Sequence, residues 1–215
     1  MNAIQKAAMT AGAFGTGGVG SYYGVKAIKD SGTTKIKDLL KNRLLSTKGE
    51  QNKDQWTARL ASLRKDSIKK ESLTLELQEI KDSSKNKTWE SLRDLCASRI
   101  EKEYSKEDSI FREVVDYCTF RNKDKLGNKV IVEELESGGS LKATGKWKKV
   151  SDALKDKVGT FSPIITEIQT KLKATQNTDT HALRKWCEEA YETPWTNKEE
   201  SNFQDAQQHC LSSDN

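Results

Sequence analysis

The chain has 215 residues, 37 Lys and Arg against 32 Asp and Glu, a formal net charge of +5 and only 34% hydrophobic residues. With 32% charged residues and two prolines, the composition excludes a multipass membrane protein, a collagen-like chain and a basic nucleic-acid arm. It favours helices with narrow apolar stripes over a turn-rich β fold.

The stretch Ala7–Val25 carries no charge and lies between Lys6 and Lys26, about the ~20 residues a helix needs to cross a bilayer. Small residues recur four apart at Ala8/Gly12 and Gly20/Gly24, a spacing that lets membrane helices approach closely. Residues 1–26 are therefore read as a membrane anchor or export signal, the membrane being the first expected partner. A cleaved signal peptide, with Ala11-Gly12-Ala13 as its small-residue site, and a flexible tail are the alternatives. Gly15, Gly17 and Gly20 match the GxGxxG spacing, but neither a preceding strand nor a βαβ rhythm surrounds them, so no nucleotide site is assigned. Residues 27–52 are Lys-rich and read as a charged connector with a short helix near 35–45.

Self-comparison organises the remainder. A shift of 91 residues places Trp56 on Trp147, Leu92-Arg93 on Leu183-Arg184 and Cys96 on Cys187; a shift of 92 places Phe111 on Phe203 and Cys118 on Cys210. Trp and Cys are rare, so their joint recurrence signals duplication. The fold class expected is all-α: the apolar N-terminal helix, then two related four-helix repeats at 53–118 and 143–211, a linker at 119–142 and a tail at 212–215. In the first repeat the helices fall near 53–66, 68–82, 89–104 and 106–118, with stripes at steps of three and four. Trp56, Leu92, Phe111, Trp147, Leu183 and Phe203 are the expected repeat core. Ser105-x-x-Asp108 and Asn197-x-x-Glu200 resemble capping boxes, and Pro163 suits a first helical turn.

Cys96 and Cys118 lie about equally far from a turn near 107, and Cys187 and Cys210 from one near 198. This symmetry favours the disulfides Cys96–Cys118 and Cys187–Cys210 among three connectivities, each worth about 3 kcal/mol in the chain-entropy model. Such bonds require an oxidising side of the membrane. Reduced thiols at helix contacts are the alternative; zinc is not expected, since no CxxC occurs. No Walker, HExxH, GxSxG or EF-hand pattern is present, and His181 and His209 read as surface residues. No catalytic, cofactor or metal residue is assigned, and no enzyme activity is expected. Lys146-Trp147-Lys148-Lys149 and Arg64–Lys70 are basic, but acids interleave and Trp147 is a repeat position, so nucleic acid is not an expected partner.

Ala7–Val25, Leu44-Leu45-Ser46, Trp56, Leu183-Arg-Lys-Trp186-Cys187 and Phe203-x6-Cys210 together resemble the large paralogous families of small, membrane-anchored or exported proteins of haemotropic mycoplasmas. The resemblance implies an anchored or exported protein of a wall-less bacterium living on erythrocytes, an antigenically variable surface component; host or self proteins are the expected partners. It carries over no catalytic residue. An intracellular helical scaffold binding protein partners is the other reading.

Overall fold

The computed structural model describes residues 34–105, 108–176 and 178–212. The anchor segment, with Ala8, Gly12, Gly20 and Gly24, lies outside the described residues. Those described form ten α-helices and no extended strand; the protein is all-α. The helices are α1 (Ile36–Leu39), α2 (Lys53–Leu63), α3 (Leu75–Lys81), α4 (Trp89–Arg99), α5 (Ser109–Cys118), α6 (Asn122–Leu126), α7 (Lys146–Asp156), α8 (Pro163–Lys173), α9 (Ala182–Glu192) and α10 (Ser201–His209).

The hydrophobic stripes explain the packing. Leu92 and Cys96 on α4, Phe111, Val114, Val115 and Cys118 on α5, and Leu183, Trp186, Cys187 and Ala190 on α9 are buried at helical spacing. The buried apolar residues collect into two clusters, one running from Ile36 to Cys118 and the other from Ile131 to Cys210. All six expected core residues are buried. Helix starts follow local chemistry. Ser162 caps α8 with Pro163 as the first helical residue. Asp108 and Glu200 are themselves the caps of α5 and α10, accepting from Ile110 and Phe203 N–H, where the sequence had suggested Ser105 and Asn197. The expected helix 68–82 divides into a 3-10 turn at Lys70–Ser72 and α3.

Each half opens with a short segment bonded to the ends of its own helical hairpin, and the two halves use the same backbone bonds. In the first half, Tyr104 N–H donates to Thr34 O at 2.8 Å, Ile36 N–H to Lys102 O at 3.0 Å, and Phe120 N–H to Arg43 O at 2.8 Å. In the second, Trp195 N–H donates to Phe120 O at 2.8 Å, Asn122 N–H to Thr193 O at 3.0 Å, and Ser212 N–H to Lys129 O at 2.9 Å. The antiparallel bridges Lys35–Glu103 and Leu44–Thr119 have the counterparts Arg121–Pro194 and Val130–Leu211.

The opening segments are thus 34–46 and 120–132, related by a shift of 86 residues. Lys37-Asp38, Leu40 and Asn42 recur in them as Lys123-Asp124, Leu126 and Asn128. Within the expected connector 27–52 and linker 119–142, the described residues 34–46 and 120–132 contribute to the apolar clusters: Ile36, Leu40 and Leu45 belong to the first, Ile131 to the second. A few apolar residues anchor each segment, its lysines stay outside, and the hairpin's carbonyls satisfy its backbone. Phe120 joins the halves, closing the first through its N–H and opening the second through its carbonyl.

Between the second opener and α7 the chain is five residues longer than the matching interval of the first half, as the shift passes from 86 to 91. Glu133 turns back within this longer stretch to accept from Lys146 N–H at 3.0 Å and Trp147 N–H at 3.3 Å, which caps α7. Gly145 permits this approach, because a Cβ there would stand 2.5 Å from the Glu133 carboxylate.

Candidate functional site

The described residues are tied together by covalent and polar features that the apolar pattern alone does not reveal. Hairpin α4–α5 brings Cys96 and Cys118 into a disulfide with a Cα–Cα distance of 5.7 Å, and hairpin α9–α10 joins Cys187 to Cys210 at 5.6 Å. No cysteine is free. All four are buried, so each bond lies on the inner face of its hairpin, within an apolar cluster.

The first half buries charge. Arg99, 2% exposed, pairs with the carboxylate of Glu113 and donates to the Thr74 hydroxyl, and Glu76 lies 3.5 Å away. Thr74 completes the knot through its N–H at 2.7 Å and its hydroxyl at 2.8 Å, both to Glu113. Every charge in the knot has a partner, the condition under which buried ions are tolerated. Arg59 is equally enclosed; it donates to Thr119 O at 3.2 Å and pairs with Asp124 of α6. Burial lowers its guanidinium pKa, while Asp124 opposes that shift. This pair crosses from one half to the other, as does Arg43 Nε–H to Trp195 O at 3.0 Å.

The second half replaces charge with apolar packing and one phenol. Ala190, Ile165 and Val150 stand where Arg99, Thr74 and Arg59 stand in the first. Leu45 N–H donates directly to Cys118 O at 2.9 Å in the first half. In the second, the Tyr191 hydroxyl is inserted into the same bond: Ile131 N–H donates to it at 3.3 Å and it donates to Cys210 O. Burial pushes this phenol up to about 12, so it remains protonated and able to donate.

An open pocket of about 520 Å³ lies between the 3-10 turn Lys70–Ser72 and α5. Ile68 and Leu73 give it an apolar wall, Lys69 and Arg112 bring positive charge, and Asp116 and Tyr117 bring polar groups from α5. Tyr117 is 7% exposed. Burial, with Asp116 next, pushes this phenol up to about 12. The Asp116 carboxyl is raised above the ordinary carboxylate range by burial, against the opposing charges of Arg121 and Arg112. Arg121 donates to the backbone carbonyl of Asp116, not to its carboxylate.

The corresponding place in the second half is filled. Phe161 packs edge-on against His209 at 5.9 Å, and Ser162 donates to Asp205 at 2.6 Å. Lys70 and Glu71 hold the Phe161 and Ser162 positions in the first half, and both are exposed. His209 is buried, not at the surface as the sequence suggested. Burial, then Lys157, lowers its pKa.

Among the described residues no group of His, Cys, Asp and Glu could hold a metal ion, and no helix is long and apolar enough to cross a membrane. The sequence had marked the cysteines and the tryptophans. It had not marked the buried pairs Arg99–Glu113 and Arg59–Asp124 or the pocket, whose members come from separate helices. No protein-family model matches the chain, and neither a curated protein nor a solved structure does.

Proposed function

We propose that the protein is a non-enzymatic, disulfide-closed tandem of two related helical units, exported behind its N-terminal segment and displayed outside the cell. The N-terminal segment is its membrane anchor or export signal, host or self proteins are its partners, and the charged outer faces are where variation between paralogues concentrates. A place among the mycoplasma surface families belongs to the same reading. One observation carries it: all four cysteines are paired, two in each of two matching hairpins, at buried positions. Bonds of this kind persist on the oxidising side of a membrane. They compensate a small apolar content, each closing a loop of 22 or 23 residues for about 3 kcal/mol.

Two measurements on the producing cell test this. Mass spectrometry of protein alkylated before extraction is expected to show four blocked cysteines released only by reduction. Protease added to intact cells is expected to remove residues 34–212. Four free thiols, together with protection until lysis, would instead establish an intracellular scaffold.

A further inference from the structure

We propose that the pocket between the Lys70–Ser72 turn and α5 binds a small zwitterionic amino compound, its ammonium on Asp116 and its carboxylate between Arg112 and Lys69. Three observations converge on this. The first is the polar wall that α5 gives the cavity: Asp116, half-buried, and Tyr117, 7% exposed, both line it. A ligand supplying a cationic donor and an acceptor would pair with both of these groups, and hydrogen bonds to a charged group are the stronger ones.

The second is the distribution of charge. Lys69 and Arg112 line the same cavity as Asp116. Glu113, the other acid there, is already committed to Arg99 and Thr74. One carboxylate not engaged in a side-chain salt bridge and two cations therefore line one space, an arrangement that suits a dipolar ligand and disfavours a simple cation or a simple anion. Ile68 and Leu73 offer an apolar wall for its side chain, and about 520 Å³ is in the range of small-molecule sites, ~300–1,000 Å³.

The third is the other half of the molecule, where the same framework needs no ligand. There Phe161 covers His209, the counterpart of Tyr117, and Ser162 satisfies Asp205, the counterpart of Glu113. Gln204 and Gln208 replace Arg112 and Asp116, removing both charges. The pocket is thus a departure of one half from a shared plan. In that half, charge stands where the counterpart is neutral, and the position of the space-filling aromatic holds Lys70.

The test titrates the isotope-labelled full chain, disulfides intact, with L-glutamine, N-acetyl-L-glutamine and L-glutaminamide, following amide resonances by NMR. Saturable shifts confined to residues 67–73 and 109–117 are expected with L-glutamine, weakened at least about tenfold, some 1.4 kcal/mol, by blocking either terminus. Asp116→Asn should abolish them. Lys70→Phe, which imports the aromatic of the second half, should close the site while the remaining spectrum stays that of the folded chain. No saturable shift at millimolar L-glutamine would overturn the proposal. So would shifts that survive Asp116→Asn, or that are equal for the free and the acetylated amino acid.

Discussion

The two halves are built on one framework of helices, disulfides and opening segments, yet they solve the problem of a small core differently. The first half encloses Arg99, Glu113 and Arg59 and satisfies them with one another, with Thr74 and with Asp124. The second places Ala190, Ile165 and Val150 at the corresponding positions and gains its extra hydrogen bonds from Tyr191. The two halves share backbone bonds and disulfide-joined hairpins and differ in the chemistry at their centres. The comparison also shows an asymmetry of risk. A buried ionic knot is close to neutral when complete but costly when broken, whereas apolar packing loses stability in proportion to the atoms removed.

Measurements of stability and exchange sharpen or break this contrast. Arg99→Ala should destabilise the protein by about 3–5 kcal/mol, because Glu113 is left charged and buried. Replacing both Arg99 and Glu113 with Met and Leu should recover most of that loss. Chemical denaturation of the single and double variants reads this directly; a single variant costing no more than a surface change would show the knot to be superficial. Next come the disulfides. Cys96→Ala with Cys118→Ala, and separately Cys187→Ala with Cys210→Ala, should each remove about 3 kcal/mol. Equal losses would fit two units of one design, and an unequal pair of midpoints would mean that one half tolerates an open hairpin.

Tyr191→Phe removes the hydroxyl that joins Ile131 N–H to Cys210 O and should cost about 1–3 kcal/mol. Hydrogen exchange at Ile131 should accelerate in that variant while Leu45, bonded directly to Cys118, remains protected. A smaller contrast concerns the tryptophans. Trp56 donates its indole N–H to Ser46 O at 3.0 Å, whereas the Trp147 indole N–H is buried without a partner. Trp56→Phe should therefore cost about 1 kcal/mol more than Trp147→Phe in a thermal or denaturant melt.

The smallest effect is on pH. Burial holds the His209 pKa below its ordinary value of 6.5, so the folded state keeps this ring neutral and the unfolded state protonates it first. Its stabilising contribution is present above pH 6.5 and is lost as pH falls through the folded pKa. His209→Phe should flatten the stability profile below pH 6.5. Asp116 runs the other way: its raised pKa means that stability is lost as pH rises from the ordinary carboxylate range through the folded value. Asp116→Asn should accordingly raise the midpoint of melting at neutral pH.

How far the fold was legible depended on how rare the informative residues were. Trp56/Trp147 and the four cysteines disclosed the pairing of the hairpins because those residue types seldom coincide by chance. The opening segments carried a signal as well, Lys-Asp-x-Leu-x-Asn at 37–42 and 123–128. It was masked because those residues are common and because the insertion around residues 133–145 changes the shift from 91 to 86. The pocket and the buried arginines gave no local signal. Arg59 meets a carboxylate 65 residues away and Arg99 one 14 residues away, and an exposed and an enclosed arginine look alike in a charged helix.

By itself, the amino-acid sequence determined an all-helical chain, the registers of its apolar stripes and the partners of its cysteines. Periodicity and symmetry about a turn are properties of neighbouring residues. Only the tertiary structure decided that the two Lys-rich stretches belong to the packed bodies, that Phe120 serves both halves, and that one half keeps an open charged pocket where the other is filled. Those outcomes depend on which backbone groups and side chains from distant helices satisfy one another. That is settled by burial and hydrogen-bond geometry, and no local pattern encodes it.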